Sequence, residues 1–124
     1  MPRWPVRDYS SLPMPAEVDR AWAAGFWDGE GSTSPYGRPR QSDGHRPAIK
    51  MYVSQKDTGP ELLQKMQRIM GVGEVKERRS RPGVWTWVVT DIAGVNRAIE
   101  IMWPYLGTPK QNQITRVRKY NVST

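Results

Sequence analysis

The chain has 124 residues, 19 lysines and arginines against 12 acids, one histidine and no cysteine, giving a formal charge of +7. That length suits one domain with a real core, and the missing cysteines exclude a disulfide framework and any Cys-based zinc finger. No apolar run approaches the roughly 18 residues of a membrane span and no secretory signal opens the chain. A soluble intracellular protein without a membrane partner is therefore expected.

Residues 1–14 read as an irregular N-terminal arm, because Pro2, Pro5 and Pro13 block regular structure. A single domain over 15–124 is expected to follow. Its first helix starts near Pro15 or Ala16 and runs to about Trp27. Val18, Trp22 and Phe26 recur every four residues on one face. On another face Ala21, Gly25 and Gly29 make a strip with almost no side chain, against which a second backbone can pack closely. The helix ends in two acids, Asp28 and Glu30, set among glycines. Carboxylates at the negative end of a helix cost roughly 0.3–1 kcal/mol each, so something positive should sit there, and a divalent cation is the simplest choice.

A short strand around 32–38 follows, interrupted by Pro35, and then a turn-rich loop at 39–45. From Pro47 to Gln55 the chain alternates: Ile49, Met51 and Val53 point one way, Lys50, Tyr52 and Ser54 the other. Thr58-Gly59-Pro60-Glu61 has the form of a capping box. The helix that it opens carries Leu62, Leu63, Met66, Ile69 and Met70 on one stripe and stops at Gly71. Residues 74–80 and 84–90 form a hairpin around Arg81-Pro82-Gly83, with Val75, Trp85, Trp87 and Val89 inward and Glu74, Lys76, Arg78, Thr86 and Val88 outward. A third helix, capped by Asp91, runs through Ile92, Val95, Ile99 and Met102 to an interruption at Pro104. Thr108-Pro109-Lys110-Gln111 starts a last, basic helix that reaches about Tyr120.

The order αββαββα, with a terminal helix, implies an α+β domain: a four-stranded antiparallel sheet with its helices on one face. The other face carries Lys50, Tyr52, Ser54, Lys76, Arg78 and Thr86. Arginines and lysines also cluster at Arg38, Arg40 and Arg46, at Arg78, Arg79 and Arg81, and at Arg116, Arg118 and Lys119. A polyanion is the expected partner, and a basic sheet face is suited to reading a DNA groove.

Ala23-Ala24-Gly25-Phe26-Trp27-Asp28-Gly29-Glu30-Gly31-Ser32 resembles the LAGLIDADG motif of homing endonucleases. The element order is that of the same family, so the resemblance extends from about Ala16 to Ile114. Val53-Ser54-Gln55-Lys56 is similar to the family's strand that ends in a glutamine, and Gly71-Val72-Gly73 to the segment before its third strand. Pro104-Tyr105-Leu106 before Lys110-Gln111 is similar to the region that supplies an active-site lysine.

The resemblance implies a site-specific DNA endonuclease. Glu30, with the Gly29 carbonyl, would hold Mg²⁺ (or Mn²⁺) between two subunits. Gln55 would position the attacking water, and Lys110 would stabilise charge on the phosphate. The family's arginine after the glutamine has no counterpart in Asp57-Thr58-Gly59, so either Lys56 substitutes or the role is vacant. Only one motif is present; one chain then supplies half a site, which implies a homodimer through Ala21, Gly25, Asp28 and Gly29 on a near-palindromic duplex, with no small-molecule substrate. Tyr36, Arg38, Arg40 and Arg46 would add base and phosphate contacts. In the family such cuts spread a mobile intron or gene, in a bacterial, phage-infected or organellar setting. The alternative is a LAGLIDADG protein that binds nucleic acid without cutting it, as an RNA maturase or a transcriptional regulator does.

Overall fold

A computed structural model of the chain describes residues 8–36, 48–56 and 59–122. Helix α1 (Glu17–Glu30) leads into β1 (Gly31–Tyr36), and β2 (Ala48–Lys56) into α2 (Glu61–Met70). Strands β3 (Glu74–Glu77) and β4 (Val84–Val89) follow, then α3 (Ile92–Met102), a 3-10 turn (Trp103–Tyr105) and α4 (Thr108–Val122). The sheet order is β1-β2-β4-β3, antiparallel throughout. This is the expected α+β order, with α1 three residues longer than its apolar periodicity suggested.

The register sorts the side chains. Met51 pairs with Val89 and Val53 with Trp87, and all four are buried against the helices. Thr33, opposite Met51, faces the same way. Ala23, Ala24 and Trp27 of α1, Leu63, Met66 and Met70 of α2, Val95, Ala98 and Met102 of α3 and Ile114 of α4 complete that core. At its centre Trp27 and Trp87 meet edge to face, with centroids 6.0 Å apart and planes at 90°. Such a pair adds about 0.5–1.5 kcal/mol beyond its buried area. The Trp87 indole N–H donates to the Val72 carbonyl at 3.0 Å.

Two glycines are fixed by these rings. A Cβ on Gly31 would lie 2.1 Å from the Trp27 ring, and one on Gly73 would lie 2.4 Å from that of Trp87. Gly73 also has φ +90°, a conformation that side chains rarely adopt.

Some sequence expectations change. Thr58 lies outside the described residues. Helix α2 has Pro60 at its N-cap with no side-chain hydrogen bond there, so the capping-box reading is replaced by a proline-led start. Its stop at Gly71, in the left-handed region at φ +70°, is as expected. Leu62 leaves the apolar stripe for solvent, as do Val18 (74 % exposed) and Ile92 (71 %). Each begins or edges a helix whose inward face is set by its neighbours. Trp22 and Phe26 stack on each other at 5.3 Å, under the ammonium of Lys65 at 4.3 Å from the Trp22 ring. Asp91 caps α3 as expected, accepting from Gly94 N–H at 2.8 Å.

Candidate functional site

Three elements meet where α1 ends. Gly31, the first residue of β1, pairs with Val53, so Gln55 stands two residues further along β2, at the end of the sheet beside the α1 terminus. From the opposite side α4 brings Lys110, whose ammonium donates to the Gly31 carbonyl. The fold therefore gathers Glu30, Gln55 and Lys110 at one end of the sheet, from a helix end, a strand end and a helix start.

The two acids of the motif have different surroundings. Both carboxylate oxygens of Asp28 accept from the Gly107 N–H, at 3.1 and 3.0 Å. Gly107 precedes α4, and its carbonyl accepts the first helical bond of that element, from Gln111 N–H at 3.1 Å. Asp28 thus sits at the positive end of α4, a favourable place for an anion. The chain supplies its own positive groups to the negative end of α1: the α4 terminus for Asp28, and the Lys110 ammonium for the Gly31 carbonyl. Glu30 is exposed and makes no hydrogen bond or ion pair among the described residues. Of the two acids it alone is available to an external cation.

Gln113, one turn after Lys110, adds a second tie. Its Oε1 accepts the N–H of Thr33 at 3.1 Å. That N–H would have closed on the Gly29 carbonyl had α1 continued, so Gly29 keeps its acceptor without a helical donor. A carboxylate and a backbone carbonyl are the hard oxygen donors that magnesium takes, with water completing its shell. The donor set fits the expected ion as half a site. Among the described residues no cluster of three or more acidic, histidine or cysteine side chains could hold a metal within one chain.

Gln55 is half-buried, and its Nε2 donates to the Ser54 carbonyl at 2.9 Å. Lys56 is exposed at the end of β2. Asp57 and Thr58 lie outside the described residues.

The outer face of the sheet forms a groove of about 870 Å³. Lys50, Tyr52, Lys76, Arg78 and Thr86 line it, five of the residues that alternation places on the outer face. Ser54 belongs to the same face, its hydroxyl 2.9 Å from that of Thr86. That bond and the flanking side chains leave Thr86 only 9 % exposed, so it supports its neighbours and offers little surface for a base. The Lys50 ammonium lies 4.9 Å over the Tyr52 ring, which orients both. Sequence reasoning left Ser32 and Ser34 out of this face; they pair with Tyr52 and Lys50 across β1 and β2. Their signal is the alternation of β1, which Pro35 interrupts.

The basic clusters divide. Arg78, Arg79 and Arg81 are exposed at the β3–β4 turn, beside the groove. Arg118 donates to Asn96 on α3 at 2.7 Å, which places the third cluster in the helix layer. Arg38, Arg40 and Arg46, and the side chain of Tyr36, lie outside the described residues. On α1, Ala21, Gly25 and Gly29 are all exposed, and a Cβ at Gly25 or Gly29 would meet nothing within 4 Å. No helix among the described residues is long and apolar enough to cross a membrane.

A family model described as LAGLIDADG endonuclease matches residues 23–121, from the motif helix through α4. The chain belongs to the LAGLIDADG endonuclease family. The family segment begins inside α1 and takes in every strand of the sheet. Solved structures share the fold. The homing endonuclease I-CvuI, in complex with its target, is 23 % identical over 84 % of this chain and 66 % of its own, with a TM-score of 0.68. An archaeal intron-encoded homing endonuclease, I-Vdi141I, complexed with DNA, is 20 % identical over 85 % and 68 %, with a TM-score of 0.70. The meganuclease I-CpaMI, bound to uncleaved DNA, is 23 % identical, covering 81 % of this chain but 34 % of its own, with a TM-score of 0.68. This chain therefore spans about two thirds of the length of I-CvuI and about a third of that of I-CpaMI. No curated protein matches it.

Proposed function

We propose that this protein is a site-specific DNA endonuclease that acts as a homodimer, each chain contributing one Glu30 to a divalent-metal site between two motif helices. The observation that carries the reading is the contrast within the motif: Asp28 is consumed by the start of α4, whereas Glu30 is held open beside Gln55 and Lys110. The structures that resemble this fold include homing endonucleases bound to DNA.

On this reading Glu30 and the Gly29 carbonyl hold magnesium, or manganese in its place. Bound there, such an ion would supply charge relief at the scissile phosphate and Lewis-acid activation of water. Gln55 orients water at the same end of the sheet. Lys110, fixed by the Gly31 carbonyl, puts its positive charge next to the acid and the incoming phosphate. The groove of the sheet takes the duplex, with Lys50, Tyr52 and Lys76 reading bases and the arginines of the β3–β4 turn gripping phosphates. The bare strip Ala21, Gly25, Gly29, with Asp28 beside it, is the dimer contact. The domain over 15–124 is the functional unit, and the reading implies a soluble, intracellular location.

Incubation of the purified protein with a plasmid library and Mg²⁺, followed by sequencing of the ends, tests the proposal. Recurrent double-strand breaks at one long, near-palindromic sequence are expected. Sequence-selective binding with no breaks in Mg²⁺ or Mn²⁺ would favour the second reading, a binding protein without cleavage. One observation favours that alternative: the Lys110 ammonium is already bonded to a main-chain carbonyl of its own chain.

A further inference from the structure

Three acids line the groove of the sheet, Glu74, Glu77 and Asp91; Glu77 accepts from the Gly83 N–H at 3.0 Å and Asp91 caps α3, so Glu74 is the one whose place there neither the turn nor a helix explains. Glu74 is exposed at the start of β3, pairs across the ladder with Val88 and lines the same groove as Lys50 and Lys76. Apolar Val88 cannot neutralise it. A carboxylate there opposes every approaching phosphate, so it weakens binding to DNA in general. It costs least where a base offers it a proton.

Glu74 stands at the end of one cross-strand row, Ser32–Tyr52–Val88–Glu74. The next row, Ser54–Thr86–Lys76, has its two hydroxyls bonded to each other and presents chiefly the Lys76 ammonium. One row thus ends in an acceptor and its neighbour in a donor. An ionised carboxylate only accepts. In the major groove the exocyclic amines are cytosine N4 and adenine N6. Adenine sets its N7 acceptor beside the amine, where it repels a carboxylate, whereas cytosine presents the amine beside an apolar C5 edge. That edge matches Val88.

We propose that Glu74 is a specificity residue that accepts the N4 amino group of a cytosine, with Val88 packed against the adjoining C5 edge. The assignment rests on the DNA-reading function proposed above. Lys76, on the neighbouring row, is set for a guanine edge, so the pair reads two adjacent positions in each half-site.

The test is selection of bound duplexes from a randomised pool, with wild-type protein, Glu74→Gln and Glu74→Ala, each first checked for a native circular dichroism spectrum. The wild type should enrich one cytosine per half-site that both variants lose. Discrimination at that base pair should fall about tenfold, with other positions unchanged. Glu74→Gln, which can both donate and accept, should move the preference towards adenine. Glu74→Ala should bind unrelated DNA more tightly than the wild type does. Equal tightening on all sequences, with every base preference intact, would overturn the assignment. Failure of the wild type itself to enrich any sequence would overturn the DNA-reading function, a result visible before any substitution is compared.

Discussion

Asp28 and Gly107, 79 residues apart, join the last turn of α1 to the first turn of α4 through both carboxylate oxygens, at 3.1 and 3.0 Å. The acid that looked misplaced at the negative end of one helix is well placed at the positive end of another. Asp28→Ala should therefore destabilise the fold by about 1 kcal/mol, the usual cost of losing a helix cap, and Asp28→Asn by less. Thermal unfolding at two salt concentrations measures both. A gain in stability on removal of the acid would mean that repulsion at the end of α1 outweighs the contact.

Glu30→Gln keeps the size of the side chain and removes the charge that, in the proposed function, would recruit a cation. Cleavage should collapse by several orders of magnitude while folding and selective binding persist. Affinity for the uncut target should be equal or higher, because a carboxylate no longer opposes the phosphates. Cleavage at the wild-type rate would remove Glu30 from the site. The magnesium titration of uncut binding gives a readout independent of turnover, and it should flatten in the variant.

The proposed dimer contact can be tested separately from the fold. Gly25 is exposed with open space where a Cβ would stand, so Gly25→Leu should fold at least as well as the wild type, helped by the better helix propensity of leucine. The same substitution should hold two motif helices apart and shift sedimentation from dimer to monomer. An intact dimer in the folded variant would move the interface elsewhere.

Gly31 behaves in the opposite way. A methyl group there meets the Trp27 ring at 2.1 Å, so Gly31→Ala should cost about 3 kcal/mol, at the upper end of overpacking effects. Combination with Trp27→Leu should recover part of that loss, a coupling that denaturant unfolding of the double-mutant cycle reads directly. Additive losses would mean that the ring moves aside.

Local patterns carried most of the fold. Alternation in β2 and β4 placed Met51, Val53, Trp87 and Val89 correctly, because a half-buried strand writes its two faces into consecutive residues. The stops at Gly71 and the cap at Asp91 were equally local. What the sequence could not display were partners that depend on tertiary distance. Nothing near Gln113 announces that it will accept the Thr33 N–H, nor does Asp28 announce Gly107. Thr86 was read as open because alternation assigns a face but not the cover that neighbours provide, here the Ser54 hydroxyl. Pro35 weakened the signal of β1 because proline is rare in strands, and the register resolves this: Thr33 and Gly31 turn their N–H groups away from β2, and Pro35 occupies the next position of that series, where no donor is missed.

That series along β1 also limits how the molecule can associate. Lys110 and Gln113 occupy the Gly31 carbonyl and the Thr33 N–H, two of the main-chain groups that β1 turns outward, so on this side the ladder is partly covered by side chains of the chain itself. The other margin belongs to β3, four residues long and carrying Glu74, Lys76 and Glu77. An added strand would find there a short and highly charged template that discourages pairing. Edge-to-edge pairing of two copies is thereby discouraged at both margins of the sheet.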